Sequence, residues 1–140
     1  MTDKPIYKPT IARTKGEIRD LLESGDISDQ ADAIWSATCT VNDYKWAQDI
    51  CHEYSESDNP ILRRGAILGL SNVARTFGKL DKTLAKPLLL RALDDTDEGV
   101  VDAARCAIED VNHFFRWSIG KRRQANKAIQ RTALRAATDL

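Results

Sequence analysis

The sequence contains an internal repeat of 38 residues, and this repeat constrains the fold more than any other feature. When the sequence is shifted by 38 residues, apolar or small residues align with one another: Leu62 with Val100, Ala66 with Ala104, Gly69 with Ala107, Leu70 with Ile108, and Val73 with Val111. In the preceding segment the same shift aligns Trp46 with Leu84 and Cys51 with Leu89. Within each copy these positions recur at spacings of three and four residues, which predicts two helices with one buried face each. Such units bury their apolar faces by stacking on one another.

Residues that favour helix ends agree with this division. A capping box, Thr14-Lys15-Gly16-Glu17, predicts the start of a first short helix that ends at Ser24-Gly25. Asp58-Asn59-Pro60 predicts a second start, because proline fits the first helical turn, and Gly78 predicts the end of that helix. Thr96 or Asp97 is expected to cap a later helix.

Signals for β-strands are nearly absent, so we predict a single all-α domain of about seven helices. Its predicted parts are an N-terminal arm (1–13), a degenerate repeat (14–41), two clear repeats (42–79 and 80–117) and a C-terminal capping helix (118–140). The apolar stripes, with Ile61, Trp46 and Leu84 among their members, are predicted to be buried. Gly65 and Gly69 are predicted to let second helices approach closely, together with Ala66, Ala103, Ala104 and Ala107.

The later repeat resembles a HEAT repeat. Its first helix reads Leu84-x-x-x-Leu88-Leu89-x-x-Ala92-Leu93, an acidic turn Asp94-Asp95 follows, and the second helix reads Val100-x-x-x-Ala104-x-x-Ala107-Ile108. The earlier repeat is similar and keeps an arginine, Arg63, directly after Leu62, where the later repeat has Val101. The resemblance covers residues 42–117. It implies a short α-solenoid of stacked antiparallel helix pairs, and it implies no specific function.

The residue types needed for catalysis are sparse. The two histidines, His52 and His113, lie in different repeats and outside any metal-binding spacing; His113 is expected at the surface or at a helix end. The cysteines Cys39, Cys51 and Cys106 form no C-x-x-C pair, and Cys51 occupies a core position of the repeat. We therefore predict no enzymatic activity, no metal and no cofactor. Unpaired cysteines, the short apolar stretches and the polar N-terminus predict a cytoplasmic protein without a membrane segment.

The charge is zero overall but unevenly distributed. Residues 1–16 carry four basic and one acidic side chain, residues 116–140 carry seven and one, and the segment between carries ten basic and nineteen acidic side chains. Acidic residues recur at equivalent helix turns, where stacking would align them along one edge. The predicted partner-binding residues are Glu53, Glu56, Asp58, Asp94, Asp95, Asp97 and Glu98, with Asp102 and Arg105 on a second helix. About half of these acids are also explained by helix capping and solubility.

Three functions remain open at this stage. An acidic body without an active site favours a module that binds a basic protein, and small bacterial immunity proteins, which neutralise a cognate toxin such as a contact-dependent growth inhibition nuclease, look similar in size and charge. The main alternative is nucleic-acid binding through the basic C-terminal helix, by Lys121, Arg122, Arg123, Lys127 and Arg131. The third is a scaffold or chaperone for another enzyme. Trp46 is expected in the core, whereas Trp35 and Trp117 are equally compatible with core and interface.

Overall fold

Six α-helices make up the part of the chain that this computed structural model describes, residues 12–121 and Ile129. They are α1 (Lys15–Glu23), α2 (Ile27–Cys39), α3 (Tyr44–Tyr54), α4 (Pro60–Phe77), α5 (Lys82–Ala92) and α6 (Glu98–Phe115). These residues contain no strand, so the prediction of an all-α fold is confirmed. Most of the predicted arm (1–13) and of the predicted seventh helix (118–140) lies outside the described residues.

The helix ends are set by the capping residues that the sequence indicates. Thr14 and Glu17 form the complete capping box of α1, with the Glu17 amide donating to the Thr14 hydroxyl at 3.1 Å. Asn59 caps α4 ahead of Pro60, and Gly78 closes it with a left-handed φ of 62°. Helix α6 is capped by Asp97. These side chains satisfy backbone groups that have no partner inside the helix.

The helices form three consecutive antiparallel pairs that stack through their second members. Helix α4 packs against α2 on one side and α6 on the other, and each first helix (α1, α3, α5) packs on the second helix of its own pair. Helices α3 and α5 also contact the second helix of the preceding pair. The result is a short solenoid-like bundle, in which α4 is the central element.

The middle of α4 is buried on all sides, from Gly69 to Ala74. A Cβ atom at Gly69 would lie 2.7 Å from the sulfur of Cys51 in α3 and 3.0 Å from Cγ2 of Thr38 in α2. Glycine at this position therefore permits the close approach of three helices, as the sequence predicts. For Gly65 the prediction was wrong, because nothing lies within 4 Å of a Cβ built there.

Two predicted core residues are exposed. Ile61 is 58% exposed because it is rotated by about 100° from Leu62, which occupies the buried stripe of α4. Leu84 is 49% exposed because it lies beside a cleft between α3 and α5 rather than against a neighbouring helix. Trp46 is half-buried, with Lys15 Nζ 5.3 Å from its ring centroid.

Helix α6 ends at Phe115, near the end of the predicted repeat 80–117. Arg116 adopts a left-handed φ of 54° and turns the chain back. Asn112 then holds Ile119, accepting from its amide at 2.9 Å and donating to its carbonyl at 3.0 Å. Within the described ranges, no helix has the length and apolar character that a membrane span requires.

Two glycine-to-alanine substitutions in α4 test the close approach at Gly69. We expect Gly69→Ala to lower the free energy of unfolding by about 1–3 kcal/mol, since the added methyl group overlaps Cys51 and Thr38. Gly65→Ala has open space and is expected to raise it by about 0.5–1 kcal/mol, the usual gain for alanine inside a helix. Urea denaturation measures both. Equal effects of the two substitutions would contradict the packing argument.

Candidate protein-binding surface

Arg63 brings the two acidic turns of the molecule together. Its Nη1 donates to the carbonyl oxygens of Ser57 at 3.0 Å and Asp58 at 3.1 Å, in the turn between α3 and α4. Its Nε and Nη2 donate to the two carboxylate oxygens of Asp95, both at 3.0 Å, in the turn between α5 and α6. The arginine that follows Leu62 in the earlier repeat thus binds the acidic turn of the next repeat.

The Arg63–Asp95 pair is well shielded from water, with side chains 19% and 16% exposed. The hydrogen bond from Arg63 holds the pKa of the Asp95 carboxyl below its ordinary value, and the same bond raises the pKa of the guanidinium. A bidentate pair of this kind fixes the relative position of two segments. Asp95 therefore belongs to the framework of the turn, where it also accepts from the Asp97 amide at 2.9 Å.

Asp97 also has a structural task. Its carboxylate accepts from the Val100 amide at 3.1 Å and so caps α6. Such a cap contributes about 0.5–2 kcal/mol to helix stability. Of the predicted binding residues, Asp95 and Asp97 are thus occupied by internal contacts.

Glu53 and Glu56 are exposed and lie at the end of α3 and just beyond it. Glu53 pairs with Arg19 of α1 at 3.1 Å, and Glu56 pairs with Arg91 of α5 at 3.6 Å. The four side chains are 43–71% exposed, and surface ion pairs of this kind contribute only about 0–1 kcal/mol. An incoming cation can therefore replace either arginine at small cost.

The other predicted residues lie in the turns and on α6. Asp58 and Asp94 are exposed in the turns, and Glu98 is exposed in the first turn of α6. Asp102 and Arg105 pair with each other at 3.2 Å along α6, one of the second helices. Four of the predicted acids, Glu53, Glu56, Asp94 and Asp95, line neighbouring clefts along one edge, which we call the acidic edge. Asp102 and Arg105 line neither of these clefts.

Two connected clefts run along this acidic edge. The first, of about 610 Å³, separates α3 from α5 and is called the α3–α5 cleft. One wall is formed by His52, Glu53 and Glu56, the other by Thr83, Leu84, Pro87, Leu88 and Arg91. The second, of about 440 Å³, lies between the turns and includes Asp94 and Asp95; it shares Glu56 and Arg91 with the first.

The α5 wall of this cleft was missed in the sequence, where Leu84 was assigned to the core. The sequence feature that could have identified this wall is Pro87, a proline inside α5. Because proline has no backbone N–H, the Thr83 carbonyl loses its usual hydrogen-bond donor four residues later. A proline tolerated at mid-helix indicates a helix face that is not closely packed.

The cysteine and histidine side chains differ in their exposure, from buried Cys51 to exposed Cys106 and His113. Cys51 is fully buried, as predicted, and burial raises the pKa of its thiol. Burial also raises the pKa of Cys39. His52 has a lowered pKa, chiefly because it is partly buried and also because Arg91 is near. His113 is exposed in the last turn of α6, in agreement with prediction. In the described part of the chain, no group of three or more potential metal ligands occurs.

Trp35 and Trp117, which the sequence left open between core and interface, differ in exposure. Trp35 is 47% exposed on α2, whereas Trp117 is partly buried and stacks on Phe115 with ring centroids 4.7 Å apart.

Of the basic residues predicted to bind nucleic acid, Lys121 is exposed. Arg122, Arg123, Lys127 and Arg131 lie outside the described residues, so this alternative stays a prediction.

Comparison with known proteins gives a structural neighbour. No protein-family model and no curated protein matches the sequence, so membership of the HEAT family stays a prediction. One chain of a crystal structure described as a CDI complex from Cupriavidus taiwanensis LMG 19424 superposes with a TM-score of 0.68 and 27% sequence identity. The match covers 79% of this chain and 98% of that one.

The structural assignment of Asp95 predicts a pH-dependent loss of stability on substitution. The carboxylate stabilises the folded state at pH values above the ordinary aspartate pKa of about 3.9, and this contribution disappears as the pH falls through the lowered pKa of the folded state. We expect Asp95→Asn to lower the urea midpoint at neutral pH, and we expect this difference from the wild type to shrink as the pH falls through the lowered pKa of Asp95. Asp102→Asn, in an exposed pair, serves as control and should change the midpoint little. Equal effects at neutral pH would refute the assignment.

Proposed function

We propose that this chain is an immunity protein: a non-catalytic, cytoplasmic protein that binds a cognate toxin and neutralises it by covering a functional surface. The toxin class suggested by the comparison is that of contact-dependent growth inhibition systems. The observation that carries the proposal is the likeness to a chain of the Cupriavidus taiwanensis CDI complex, at 27% identity over nearly the whole of that chain. Masking of this kind needs a shaped, charged surface and no reactive group.

The acidic edge is the surface that best fits this role. Glu53, Glu56 and Asp94 line the two clefts, and Asp58 and Glu98 are exposed in the α3–α4 turn and in the first turn of α6. Negative charge concentrated along one edge accelerates encounter with a positively charged protein and disfavours wrong partners. We therefore propose a basic partner. Nucleic acid is disfavoured at this edge because its phosphates would meet these carboxylates.

Retrieval of the partner, followed by a growth assay, tests the immunity role. The tagged chain is recovered from its own cells after nuclease treatment, and the proteins bound to it are identified by mass spectrometry. We expect one basic protein that arrests growth when expressed alone and does not do so when this chain is coexpressed. Partners that disappear with nuclease, or a partner whose expression leaves growth unaffected, would contradict the proposal.

Charge reversal then tests the acidic edge with that partner. We expect the double substitution Glu53→Lys and Glu56→Lys to weaken binding at least about tenfold and to remove its salt dependence. The matched control is Asp32→Lys and Glu109→Lys, which changes the same total charge at exposed positions on the second helices α2 and α6. Asp95 and Asp97 are left intact because they hold the turn and cap α6. Titration calorimetry measures both variants, and equal losses would show that only net charge matters.

A further inference from the structure

The α3–α5 cleft combines an apolar wall with hydrogen-bond acceptors. On α5, Leu84 is 49% exposed and Pro87 is exposed beside it, so an aliphatic surface faces the cleft at its accessible side. Exposed aliphatic groups lining a concave surface favour an apolar occupant, because contact removes both surfaces from water. Leu88, which is almost fully buried, continues this wall into the core.

The polar groups of the cleft are mostly acceptors. Glu53 and Glu56 contribute carboxylates on the α3 side, and the α5 side includes Thr83, whose backbone carbonyl loses its helical donor at Pro87. Partial burial lowers the pKa of His52, which disfavours its charged form. Among the described residues that line the cleft, Arg91 contributes a cation, and its guanidinium lies 3.6 Å from Glu56 and 3.4 Å from the Ser55 hydroxyl.

Both ion pairs at the α3 wall can open. The Arg91 and Glu56 side chains are 58% and 71% exposed, and those of Arg19 and Glu53 are 43% and 53% exposed. A cation from another molecule would meet carboxylates that are already in place, and the released arginines remain hydrated. The occupant must therefore supply donors and positive charge together with an aliphatic group.

We propose that the α3–α5 cleft docks a short amphipathic segment of a protein, which places one aliphatic side chain against Leu84 and Pro87 and a neighbouring lysine or arginine between Glu53 and Glu56. The cation takes the place of Arg91 at Glu56, and a second donor of the segment reaches the Thr83 carbonyl. This proposal rests on the proposed function, since it identifies the part of the basic partner that is recognised. It adds Leu84, Pro87 and Thr83 as determinants of specificity.

A pair of matched substitutions tests the apolar wall. Leu84→Asp removes the proposed contact, whereas Ile61→Asp makes the same change at another aliphatic residue that is 58% exposed, on α4. Both positions lie in the first turn of a helix, where an added carboxylate is compatible with the helix dipole, so both variants should fold. The probe is a short fluorescent peptide with leucines on one helical face and lysines beside them. Its counterpart carries glutamates in place of the lysines.

We expect the lysine peptide to bind the wild type and Ile61→Asp alike, and to bind Leu84→Asp and the Glu53→Lys, Glu56→Lys variant at least about tenfold more weakly. The glutamate peptide should bind at least about tenfold more weakly than the lysine peptide. Fluorescence anisotropy measures each affinity. Equal binding of the lysine peptide to the two aspartate variants, or equal binding of the two peptides, overturns the proposal.

The cellular partner separates this proposal from the immunity role. If a growth-arresting partner is recovered and Leu84→Asp weakens its binding while Ile61→Asp does not, the cleft is supported as its docking site. If the partner binds both variants equally, the cleft proposal fails and the immunity role stands. If no such partner exists but the peptide binds as expected, the immunity role fails and the cleft remains a site for basic amphipathic segments.

Discussion

The packing of α4 is the constraint on which the rest of the structure depends. Gly69 lets α2 and α3 approach the middle of this helix, and a side chain there would collide with Cys51 and Thr38. With α4 buried from Gly69 to Ala74, the stack is carried by the second helices, which pack side by side. The first helices make most of their helix–helix contacts with α2, α4 and α6 rather than with one another, which leaves room for a cleft between α3 and α5. The α3–α5 cleft is thus a consequence of where the core is built.

The acids of the edge are of two kinds: some hold the turns in place through internal hydrogen bonds, and others are exposed and can contact a partner. Arg63 binds one turn through two carbonyl oxygens and the next through Asp95, so the spacing of the turns is fixed. Gln48 of α3 connects two segments in the same way. It is buried, and it exchanges two hydrogen bonds, of 2.9 and 3.0 Å, with the backbone of Asp81 at the start of α5. Glu53 and Glu56 form exposed ion pairs with Arg19 and Arg91, so a partner can engage their charges without disturbing the stack.

The repeat and its capping residues made the helices predictable, because both depend on local spacing and on backbone groups that need a partner. For Leu84 and Gly65 the predictions from local spacing were wrong. The 38-residue shift identifies equivalent positions, yet Leu84 faces a cleft and Gly65 open space, since burial depends on neighbours that the spacing does not specify. The acids of the candidate site were found from their recurrence at turns. Their division into structural and exposed residues was not predictable, because it depends on which acid Arg63 reaches.

A surface built in this way suits a protein that must recognise one partner among similar ones. The residues proposed to select the partner, Glu53, Glu56 and Leu84, are exposed, so substitutions there change shape and charge with little loss of folding energy. The residues that hold the stack, Gly69 and the Arg63–Asp95 pair, lie behind them. Specificity requires repulsion of wrong partners as well as attraction of the right one. The proposed cleft, with an aliphatic wall beside carboxylates, would supply both, because acidic segments would be repelled by charge and purely polar ones would be disfavoured by desolvation.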